Sequence, residues 1–119
     1  MFLGAPVAID YTGHSAYPTG ETIRRLAHAR RAHPEWFDRI LLLYDPNPPA
    51  APFVLGLSRQ FGIEAKCQFL MSVNDKEQLS TVDDAIEFIY QLFGTEKLVI
   101  TWGMDSVRPP KTAYPGMVI

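Results

Sequence analysis

"IDYTGHSAYPTGETI", residues 9–23, decides how this chain is read. The apolar run that leads into it, PVAIDY (6–11), has the composition of a strand. TGETIRRLAHARRAH (19–33) carries a helical stripe at Ile23, Leu26 and Ala27, with Thr19 placed to cap it. Between them stand Thr, Gly, His, Ser and Pro, which is loop chemistry. Ending the strand near Tyr11 makes residues 10–20 a polar loop opening onto a helix N-terminus.

Working outward from that choice, DRILLLYD (38–45), IEAKCQFLMSV (63–73) and KLVITW (97–102) read as three further strands. APFVLGLSRQF (51–61) and STVDDAIEFIYQLF (80–93) read as helices. The second has a buried face of Val82, Ala85, Ile86, Ile89 and Phe93 and a stop at Gly94. Strand and helix alternate, which predicts an α/β fold: a three-layer, Rossmann-like open parallel sheet of four main strands. In 63–73, Ile63, Ala65, Cys67 and Phe69 point one way, and Glu64, Lys66 and Gln68 the other. One wet face suits an edge strand, so the expected order is 3-2-1-4.

The 119 residues fit a single domain, drawn here over 1–102, with 103–119 as a Pro-rich tail whose GMVI end adds a short strand or docks on a neighbour. A formal net charge of −2 supplies no field for nucleic acid or an anionic membrane. The lone cysteine, Cys67, cannot form an internal disulfide, which fits a reducing compartment. The start MFLGAPVAID lacks the basic flank of a signal peptide, and no apolar stretch is long enough to span a membrane. The expectation is a cytoplasmic protein.

In order 3-2-1-4 the topological switch lies between strands 1 and 4, where open α/β sheets bind ligands. Loops 10–20 and 102–110 would meet there. Asp10, Asp45, Asp75 and Asp105 would share one rim of the sheet. Asp10 and Asp105 are candidates for ligand hydroxyls or metal-bound water. Thr12, Ser15, Thr19 and Gly20 are candidates for an anion at the helix N-terminus, and Trp102 for a stacking wall. His14, with Asp10, is the candidate proton carrier should the protein be an enzyme. GxGxxG and GxxxxGK[ST] are absent, no metal-ligand spacing occurs, and no cofactor is identified.

VAIDYTGHSAYPTGETIRRL resembles the segment of phosphoribosyltransferases in which an acidic strand end leads through a Thr-Gly-x-Thr loop into a helix. The resemblance implies that Asp10, Thr19, Gly20 and Thr22 surround a sugar phosphate. Only one acid stands where that family has a pair, and extra residues separate Asp10 from Thr19.

The expected function is therefore binding of a phosphorylated or nucleotide-like small molecule, an anion, at the strand 1/strand 4 switch. The alternative is a non-catalytic interaction or assembly protein. It would use the Arg-rich helix 19–33 and the acidic helix 80–93, an arrangement compatible with a homo-oligomer. The ligand reading requires loops 10–20 and 102–110 to lie at the same end of the sheet.

Overall fold

The computed structural model describes residues 9–48, 58–102 and 106–111. Its elements are β1 (Asp10–Ser15), α1 (Thr19–Ala32), β2 (Leu41–Leu43), β3 (Cys67–Val73), α2 (Leu79–Phe93), β4 (Leu98–Trp102) and β5 (Ser106–Arg108), with a 3-10 turn (Lys76–Gln78) ahead of α2. The sheet order is β2-β3-β1-β4-β5 and every pairing is antiparallel. This overturns the parallel Rossmann-like sheet and its 3-2-1-4 order. The predicted helix 51–61 falls largely outside the described residues, as does GMVI.

The correction starts in the opening stretch. DYTGHS is the central strand, not a strand end followed by a loop. Gly13 and His14 look like loop residues, yet each has a strand-specific role. Gly13 pairs with Phe69 and Ile100, and a Cβ there would lie 2.3 Å from the Phe69 ring. The aromatic ring needs the space that glycine leaves, a recognised use of glycine within strands.

Strand 63–73 does alternate as read: Cys67, Phe69, Met71 and Val73 are buried, while Leu70 is exposed. Yet β3 lies inside the sheet, between β2 and β1. Alternation here marks an antiparallel sheet with helices on one face, rather than an edge strand. Both helices contribute to one core on that face. Leu26 and Ala29 of α1 and Val82, Ala85, Ile86, Ile89, Tyr90 and Phe93 of α2 cluster with Phe69, Met71, Leu98 and Ile100. By register parity Thr12, His14, Val99 and Thr101 face the other way, and His14, Val99 and Thr101 are buried as well.

Helix signals survive with changed details. Helix α1 follows Pro18, without a side-chain cap from Thr19. Instead Ser15 Oγ accepts from Tyr17 N and meets Thr22 Oγ1 at 2.9 Å, which fixes the turn into the helix. Gly94 ends α2 at φ 93°, a conformation that favours glycine. Among the described residues, no helix is long and apolar enough to cross a membrane.

Candidate partner-binding surface

Antiparallel pairing dissolves the expected ligand site. Alternate strands point their carboxyl ends in opposite directions, so the described strands form no common rim and no switch point. Asp10 sits at one end of β1, exposed, and accepts from Ser72 Oγ at 2.7 Å. Trp102 lies at the same end, because it pairs with Tyr11, and it is 52% exposed. Thr12 is mid-strand and faces away from the helices with Thr101. Ser15 is buried at the opposite end, roughly 17 Å from Asp10 by strand rise. Thr19 and Gly20 follow on α1 beyond that end. Asp105 lies outside the described residues. The small-molecule reading at a strand 1/strand 4 switch is therefore withdrawn, along with the shared rim. Asp75 follows the carboxyl end of β3, at the Asp10 end, whereas Asp45 follows β2, which runs the other way.

His14 is not a loop base. It is 4% exposed, with Nε2 3.1 Å from Thr101 Oγ1 and Nδ1 without a hydrogen-bond partner. Burial pushes its pKa down from 6.5 to about 4, so the ring is neutral at pH 7. Cys67 is fully buried, and its thiol donates to Thr22 Oγ1 at 3.2 Å. Among the described residues no three His, Cys, Asp or Glu side chains are grouped to hold a metal.

The helix charges also differ from the assembly reading. Arg24 and Arg25 pair with Glu21, and Arg30 pairs with Asp38. On α2, Asp83 and Glu87 are taken by Arg108, and Asp83 also by Lys111. Much of the charge is thus neutralised within the chain instead of being presented to a second copy.

The structure does build an open cleft of about 410 Å³ at the end of the sheet where α1 finishes and α2 begins. Glu35, Trp36, Arg39 and Ile40 line it from the α1–β2 connection, and Asp75, Gln78 and Thr81 from the turn into α2. Trp36 is packed against neighbouring rings. The His33 ring stacks on it at 3.9 Å and 6° from coplanar, and Phe88 meets it edge-on. His33 Nδ1 in turn lies 2.9 Å from Glu35 Oε2, and this contact holds the Glu35 carboxyl below its ordinary pKa. Asp75 accepts from the Glu77 amide at 3.0 Å and from Gln78 Nε2 at 2.9 Å, both neutral donors. Leu79, next to Gln78, is 49% exposed. The sequence signals were present singly, since Asp75 reads as a turn former and Trp36 as a packing residue. Nothing local showed that they share a cleft.

A search of curated proteins finds no match. Among solved structures, a chain of the "CdiA-CT/CdiI toxin and immunity complex from Burkholderia pseudomallei" is similar, with a TM-score of 0.75 and 21% identity over 84% of this chain and 96% of that one. At that identity the likeness speaks for the fold. The sequence model described as "CDI System Immunity Component" matches residues 7–106, a span that holds α1, α2 and β1 to β4 and reaches the start of β5. The chain belongs to the CDI System Immunity Component family.

Proposed function

We propose that this protein is an immunity protein, which binds a CDI toxin and holds it inactive by protein–protein contact. The carrying observation is the family match over residues 7–106. The fold shared with a chain of a toxin–immunity complex supports it. The partner is a protein, in place of the small anion expected from the sequence. A standard interface takes about 800 Å² from each partner. The total accessible surface is 6808 Å², so one end or face of the molecule suffices.

The test is direct. The purified chain is titrated with its cognate toxin domain by calorimetry, and cells expressing that domain are scored for survival with and without the chain. One-to-one binding together with rescue of growth is expected. Absence of both would overturn the proposal.

A further inference from the structure

The immunity reading leaves open where the toxin docks and what it offers, and the cleft between the α1–β2 connection and α2 answers both. Its lining holds two carboxylates, Glu35 and Asp75, against one guanidinium, Arg39. Both Asp75 oxygens accept from neutral donors, the Glu77 amide and Gln78 Nε2. Glu35 is 57% exposed at its side chain, with His33 Nδ1 2.9 Å from one of its oxygens. Trp36 adds an aromatic surface already ordered by the His33 stack, so little side-chain entropy remains to be lost on binding. On α2 the pattern is different. The carboxylates of Asp83 and Glu87 have cations from their own chain. The backbone groups of Leu41 and Leu43 on the β2 edge are likewise taken by Trp36, Asp38 and Arg30.

We propose that this cleft is the toxin-docking pocket and that it receives a basic side chain of the toxin, Arg or Lys, between Glu35 and Asp75 and against Trp36; this rests on the immunity reading above. A cation beside a tryptophan ring gains from the ring quadrupole, and a long basic side chain also buries its apolar stem. Trp and Arg are the residues that most often dominate interface energetics.

Two measurements on the full chain with its cognate toxin domain test this. In the first, Glu35→Gln and Asp75→Asn are combined. Asp75→Asn keeps the acceptor for Glu77 N but gives up one for Gln78 Nε2, and Glu35→Gln loses the charge beside His33, so the melting temperature should fall by only a few degrees, with the fold intact. Affinity should fall by about tenfold or more, and its dependence on salt should flatten. In the second, the wild-type chain carries 5-fluorotryptophan at its two tryptophans, Trp36 and Trp102. Unlabelled toxin should shift the Trp36 fluorine signal. If wild type binds toxin but the double variant binds equally well, or if the Trp36 signal stays in place, the docking proposal is overturned while the immunity reading stands. If wild type does not bind toxin at all, the immunity reading itself fails. A shift of Trp36 with protein concentration in the absence of toxin would assign the cleft to a second copy of this chain and overturn the proposal.

Discussion

The two edges of the sheet are finished in opposite ways. At the β2 edge the closure acts on the strand's own backbone. The Leu41 N–H donates to Trp36 O and its carbonyl accepts from Asp38 N. The Leu43 N–H donates to Asp38 Oδ1 at 3.0 Å, and its carbonyl accepts from Arg30 Nη2 at 2.9 Å. An Arg30–Asp38 pair at 2.6 Å locks the donor and acceptor together. Asp38 adopts φ 64°, a backbone conformation that Asp tolerates better than most residues. At the β5 edge the strand is held down from the helix side. Arg108 pairs with Asp83 and Glu87, Lys111 N donates to Glu87, and Tyr90 OH donates to Arg108 O. Pro109 and Pro110 then remove the next N–H groups. One edge is sealed by local backbone bonds, and the other is clamped by long-range charges. A sheet can thus avoid edge-to-edge pairing by either route.

The clamp is where the largest loss is expected. The Arg108 and Glu87 side chains are each 14% exposed, so Arg108→Ala strands a largely buried carboxylate. The cost should be about 2–3 kcal/mol, between a surface pair and a fully buried one. Urea denaturation at pH 7 measures it, and a loss below about 0.5 kcal/mol would reduce the clamp to an ordinary surface pair.

Acid separates the centre of the sheet from this edge. His14 on β1 has a folded pKa of about 4 against an ordinary 6.5. Between those values the unfolded chain binds more protons. Stability is therefore full above pH 6.5 and is lost as pH falls toward 4, by about 2 kcal/mol at pH 5. In His14→Gln the loss over that window should vanish. Asp83 acts lower. Burial pushes its pKa up, but hydrogen bonds from Lys111 and Arg108 more than offset this, leaving it below 3.8. Its share of the clamp persists above pH 3.8 and fails only below it, so acid unfolding curves of His14→Gln should retain that lower limb.

The seal at the other edge is expected to be worth less. Asp38→Ala removes the acceptor for Leu43 N and places alanine at a positive φ, which should cost about 1–2 kcal/mol. Its sharper consequence is association. With the Leu43 N–H released, and the Arg30 that holds its carbonyl no longer pinned by Asp38, the β2 edge becomes a pairing template, and light scattering should show concentration-dependent dimers. Arg108→Ala should lose stability without that change in mass, because its edge ends in two prolines.

What the sequence showed and what it hid divide along local and distant causes. Helix α1 at 19–32, α2 at 79–93 and β4 at 98–102 follow from periodicity within a dozen residues, and the structure places them within a residue or two of that reading. β1 was misplaced because its reasons lie elsewhere. Gly13 is required by the Phe69 ring, and His14 is held by Thr101, 87 positions away. Strand direction has no local signature either, although the alternation of 63–73 held a clue. A single wet face is the usual mark of an antiparallel sheet. The cleft was hidden for the same reason as β1, since Trp36 and Asp75 meet only after β3 has crossed the sheet.

The finest test concerns one hydroxyl at the clamped edge. Ile100 and Arg108 are register partners, but the Ile100 N–H donates to Tyr90 OH at 2.9 Å, and that hydroxyl donates onward to Arg108 O at 2.5 Å. The tyrosine thus stands inside the ladder, linking α2 to both strands. In Tyr90→Phe the two backbone groups that lose the hydroxyl belong to register partners, so a small approach of the strands would close them into a direct ladder bond. The cost should then be about 1 kcal/mol, less than two unsatisfied buried groups would impose. Hydrogen exchange decides between these outcomes. If the Ile100 amide stays protected in the variant, the ladder has closed and the ion pairs of Arg108 tie β5 to α2 without the hydroxyl. If its protection collapses while α2 remains intact, the hydroxyl is what ties the edge to the helix, and the clamp depends on it as much as on the ion pairs.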